Sequence, residues 1–146
     1  MSDTFIHYGT TSFDPDSFMP IKNEVCFTKP SGGLWASPAD AARSWKDWCR
    51  DVSWPCEEEI SFSFTMKESA NVLRIKSAES LKDLPKIELE FLSFRPSWEC
   101  LDFEQLRHEG VDAILVYISE DYRLNRMLYG WDCDSILVMN KDIIII

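Results

Sequence analysis

Three short segments carry residue types that could do chemistry together: Ile6-His7-Tyr8-Gly9-Thr10, Gly32-Gly33-Leu34-Trp35-Ala36-Ser37 and Asp132-Cys133-Asp134-Ser135. The first two read as strands that place a ring beside a glycine. The chain has only 2 histidines, and His7 sits in the first of these strands. A histidine followed one strand later by glycine, an aromatic ring and a serine suggests a pocket for a ribose and a flat ring. An aromatic wall suits a flat group, and glycines let backbone crowd a ligand. Tyr129-Gly130-Trp131 leads into the acidic segment and is a further candidate wall.

Other chemistries find less support. The 5 cysteines, Cys26, Cys49, Cys56, Cys100 and Cys133, form no CxxC pair, and 2 histidines make a poor zinc set. They read as reduced, mostly buried thiols. A cysteine nucleophile would need a base that the sequence does not identify. Neither GxGxxG nor GxxxxGK[ST] occurs, so no Rossmann site or P-loop is expected. The formal net charge of −10 opposes direct binding to nucleic-acid phosphates. His108, on a charged helix, and Glu57-Glu58-Glu59 read as surface.

These residues need a scaffold. With 146 residues, 45% apolar, the chain suits one domain over 1–146 with an ordinary core. No apolar run reaches bilayer length, so no membrane association is expected. Met1-Ser2-Asp3-Thr4 carries no leader-like pattern, and cytoplasmic residence is the expectation. Thr11 to Pro30 reads as a long loop whose Phe13, Phe18, Ile21 and Phe27 pack it onto the body. Ser37-Pro38-Ala39-Asp40 reads as a helix start, with Trp45, Trp48, Cys49 and Val52 on the following apolar stripe. Strands are expected over Ile60–Met66, Val72–Ile75, Ile87–Phe91, Ala113–Ile118 and Ser135–Met139. A short helix is expected from Ser77 to Leu84. Asp102 reads as the N-cap of a helix closed by Gly110, with Gln105 at N3 and a Leu101–Leu106 staple. Ser119 reads as the cap of a further helix. The Ile143–Ile146 tail reads as an edge strand or an interface. The fold class is therefore α+β: a mixed or antiparallel sheet arranged as two packed small sheets, with two to three helices.

The order of these segments resembles the ADP-ribosyltransferase superfamily, in its His–Tyr–Glu branch of diphtheria-toxin-like and poly-ADP-ribose-polymerase-like enzymes. The resemblance covers the whole chain by element order and rests on the three segments by residue. It implies an NAD-binding protein that transfers ADP-ribose to a macromolecular target, either protein or nucleic acid; the net charge of −10 leans towards protein. Under it, His7 holds the ribose, and Tyr8, Gly9, Thr10 and Gly33 complete the NAD-binding strands. Trp35 stands where the family has tyrosine, keeping the stacking face and losing the hydroxyl. Ser37 sits by the ribose. Asp134 takes the place of the catalytic glutamate with one methylene less, and Asp132 competes for that role. The alternative from a different class is a non-enzymatic acidic binding or inhibitor protein that works through its negative surface.

Overall fold

The two most continuously apolar strands lie side by side at the centre of the sheet. β5 (Ala113–Val116) and β6 (Ser135–Val138) pair antiparallel over four positions, and all eight residues are buried. Runs buried on both faces read as unbroken apolar sequence rather than as alternation. In the computed structural model, which describes residues 3–24, 29–88, 94, 98–128 and 130–146, five further strands extend this pair. They are β1 (Phe5–Tyr8), β2 (Leu34–Pro38), β3 (Ser61–Met66), β4 (Val72–Ile75) and β7 (Ile144–Ile145). The order is β4-β5-β6-β2-β1-β3-β7, with only β4 and β5 parallel. The α+β class is as expected, but the strands join into one mixed sheet rather than two packed small ones.

Each face of the sheet carries its own core. Ile75, Ile114, Val116, Leu137, Leu124 and Trp131 gather on one side. Phe5, Phe64, Ala113, Leu115, Ile136 and Val138 gather on the other. Alternation along each strand sorts the residues between the two. Trp35 packs against the first core, whereas Ala36 belongs to the second.

Three short helices flank the sheet among the described residues: α1 (Trp45–Val52), α2 (Phe103–His108) and α3 (Arg123–Met127). α2 starts as expected, with the Asp102 carboxylate accepting from the Gln105 amide, and Leu101 and Leu106 are both buried. α1 begins later than its sequence suggests. Ser37 and Pro38 belong to β2, where Phe5 pairs with Pro38. The helix is instead opened by a capping box. The Ser44 hydroxyl accepts from the Asp47 amide, and the Asp47 carboxylate accepts from the Ser44 amide at 2.8 Å. The Ser44 amide and the Ser44 hydroxyl, the latter at 2.9 Å, both donate to the Asp47 carboxylate and draw it below its ordinary range. Ala78–Leu81 is a 3-10 turn in place of the expected helix from Ser77.

β5 ends at Val116, short of the expected Ile118, and a 3-10 turn follows over Ile118–Glu120. α3 has no side-chain cap. Ser119, expected as that cap, is engaged elsewhere. The last isoleucines do form an edge strand, β7 against β3. The expected strand at Ile87–Phe91 lies partly outside the described residues, as do Cys26, Phe27 and Tyr129. No helix among the described residues is long and apolar enough to cross a membrane.

The loop before β2 packs as its aromatics imply. The Phe13 ring lies 6.4 Å from Phe18 and 6.2 Å edge-on from Phe62. Asn23 accepts from the Phe103 amide and donates to Asp102, tying the loop to the start of α2.

Candidate functional site

The site forms where strand pairing stops. β1 and β2 are paired only at Phe5–Pro38 and Ile6–Ser37. Beyond Ile6 they part, and His7 fills the gap. Its Nδ1 lies 2.6 Å from the Trp35 carbonyl oxygen. A carbonyl can only accept, so Nδ1 carries the proton and the neutral ring keeps its lone pair on Nε2. The ring rests 5.2 Å from Phe62, on the side of the second core.

Two cavities meet at this histidine. The larger, about 270 Å³, has His7, Tyr8, Trp35, Ser37, Trp45 and Trp131 in its wall, joined by Lys29 and Asp132. The smaller, about 160 Å³, is bordered by His7, Thr10, Phe13, Phe18 and Gly33. The structure thus brings His7, Tyr8, Trp35 and Ser37 to one cleft. It assigns Thr10 and Gly33, with His7 again, to the neighbouring cavity. Gly9 and Asp134 border neither of the two.

Each wall residue is held by its own element. Trp35 meets Trp131 edge to face, with ring centroids 4.7 Å apart. Ser37 is 2% exposed, and its hydroxyl accepts from the Trp45 amide at 2.9 Å. It therefore helps to start a helix, as its sequence suggests, but from the neighbouring strand. Trp45 stacks on Trp48 at 4.9 Å and stands in the cleft wall rather than in the core stripe expected of it. Burial pushes the Tyr8 phenol above its ordinary range, and negative charge at Cys56 and Glu58 adds to this.

The glycines have structural reasons to be where they are. A side chain on Gly32 would put its Cβ 2.2 Å from the Pro20 carbonyl oxygen. On Gly33 it would meet Leu137 and the Val138 carbonyl oxygen at 2.8 Å. Both have positive φ; Gly32 lets the long loop pass close, and Gly33 lets the chain approach β6. The close approach at this pair is to the protein's own backbone.

Asp134 differs most from its expected role. It is 1% exposed, and its carboxylate accepts from the Ser119 amide at 2.8 Å, the Ser119 hydroxyl at 2.7 Å and the Arg43 amide at 3.4 Å. It fastens two loops to the head of β6. Asp132, two residues earlier, borders the cleft. Gly130 and Trp131 border it too, as expected of that segment.

One cleft residue carried no sequence signal. Lys29 crosses Gly130 so closely that a Cβ there would lie 3.2 Å from its Cε. Its ammonium sits 5.0 Å from the Trp35 ring centroid, a cation–π contact. Burial pushes the Lys29 ammonium below its ordinary range, with charges on Asp132 and Cys133 acting the other way. Lys29 follows no periodic pattern and belongs to no regular element, so only the fold reveals it. The described residues contain no group of three or more potential metal ligands.

Compared with family models, curated proteins and solved structures, the chain matches none.

Proposed function

We propose that the cleft binds NAD and that the protein transfers ADP-ribose from it to a macromolecular target. One observation carries this reading: the three segments, far apart in sequence, lie on neighbouring strands β1, β2 and the approach to β6, and all border one cleft. In transfer, the bond between the ribose and nicotinamide breaks, and positive charge develops on the ribose. A carboxylate beside it lowers that barrier. Asp132 is the better acid for this task, since the Asp134 carboxylate is taken up by Ser119 and Arg43. His7 offers Nε2 to a ribose hydroxyl while Trp35 holds its Nδ1. Trp35 and Tyr8 supply ring faces for nicotinamide. The target's nucleophile then attacks the ribose carbon, and nicotinamide departs. The net charge of −10 favours a protein target over nucleic acid.

Calorimetric titration with NAD tests the reading, run on the wild type, His7→Ala and Asp132→Asn. Binding lost in His7→Ala, with transfer but not binding lost in Asp132→Asn, is expected. A folded wild type that takes up no NAD would sink it. The second reading would then lead: a non-enzymatic binding protein. The aromatic row Trp45, Trp48 and Trp54 favours it, because Trp54 is 58% exposed and Glu57-Glu58-Glu59 follows close behind. A basic partner protein captured equally well by the His7→Ala variant would support that role.

A further inference from the structure

Among the described residues, two hydrogen-bond donors carried by side chains of the cleft wall have no acceptor. The first is the Lys29 ammonium. Among the described residues no carboxylate lies within ion-pair distance of it, although it is half-buried and held over Trp35. The second is the Trp131 indole N–H, which is buried and has no hydrogen-bond partner. Both residues belong to the wall of the same cavity. The Lys29 ammonium lies 5.0 Å from the Trp35 ring centroid, and the Trp131 ring centroid lies 4.7 Å from it. An unpaired buried donor is costly, and an unpaired cation more so. A native fold that keeps two such donors in one cleft wall is suited to an acceptor brought from outside.

We infer that Lys29 and the Trp131 N–H form an anion seat in the cleft, of the chemistry that receives a phosphate or pyrophosphate group. The inference rests on the NAD reading only for the identity of the molecule that carries the phosphate. Lys29 and Trp131 offer donors to an anion, and Asp132 in the same wall offers a carboxylate. A ligand that carries both a phosphate and a cationic ring has a partner for each. A neutral sugar or a simple cation does not. A lysine acts as a point charge here, so arginine should replace it in part and an apolar chain should not.

The test compares wild type, Lys29→Met and Lys29→Arg by calorimetry with three probes: NAD, nicotinamide riboside and inorganic pyrophosphate. Circular dichroism on each variant establishes that it is folded. The seat predicts that Lys29→Met weakens NAD and pyrophosphate by about tenfold or more, since charge-assisted hydrogen bonds are the strong ones. Nicotinamide riboside, which has no phosphate, should be unchanged by the same substitution. Lys29→Arg should retain most of the phosphate affinity. An equal loss for riboside and NAD would overturn the seat, as would NAD binding that Lys29→Met leaves untouched. NAD binding that ignores Lys29 refutes the seat and spares the proposed function. Pyrophosphate binding that needs Lys29, without NAD binding, does the reverse. A wild type that binds none of the three refutes both.

Discussion

The β5–β6 pair and the β1–β2 pair are built from strands of similar length and end differently. β5 and β6 are matched at every position, and every residue is buried. β1 and β2 match at two positions and then separate, and most of their residues there are half-buried. Complete pairing satisfies each backbone group and leaves nothing for a ligand to take. The open seam leaves the Trp35 carbonyl to a histidine and brings two cavities together. Stability and candidate chemistry are thus carried by different strands of one sheet.

Perturbing the closed pair should cost the most. Ile114→Ala should lower unfolding free energy by about 3 kcal/mol, read from denaturant midpoints, because it removes buried volume from the first core. Asp134→Asn comes next, at about 2 kcal/mol by the same measurement. It removes a charged acceptor from Ser119 and Arg43 without removing bulk. A loss of transfer with no loss of stability in this variant would return Asp134 to the chemistry. Ser44→Ala should cost about 1 kcal/mol, visible as a shift in thermal midpoint, because it breaks the capping box of α1. His7→Ala should change stability by less than about 1 kcal/mol while abolishing NAD binding, since His7 lies where pairing has already ended. A large stability loss would mean that the histidine is a strut and not a ligand. The smallest effect is expected at Cys100. Burial pushes its thiol up to about 11, so at pH 8 it should resist alkylation in the native protein and react once unfolded, as mass spectrometry would show.

The sequence was most legible where local signals and tertiary structure agree. Asp102 with Gln105, a Leu101–Leu106 staple and Gly110 describe α2 without any long-range knowledge, and Val72–Ile75 is a strand as read. It misled where a long-range partner won. Ser37-Pro38 has the local form of a helix start, but pairing with β1 draws it into a strand. Ser119 has the form of a cap, but its hydroxyl goes to Asp134. Which of two aspartates two residues apart borders a cleft depends on the path of the chain into β6, and no local pattern settles that. The aromatic walls were readable as rings beside glycines. Lys29 was not, because its role comes from crossing Gly130, a residue remote in sequence.

The place of β6 also has a kinetic consequence. It is the wedge between β5 and β2, yet it follows both of them, and β1, β3 and β4 as well, in sequence. Until it emerges from the ribosome, β1, β2 and β3 have no link to β4 and β5 through the sheet. The helices among the described residues, the longest of 8 residues, are too short to hold either half alone. Non-local pairing of this kind is slow and pays its loop-closure entropy late. The nascent chain should therefore remain open, with its strand edges unprotected, until β6 has emerged, and then close in a single cooperative step.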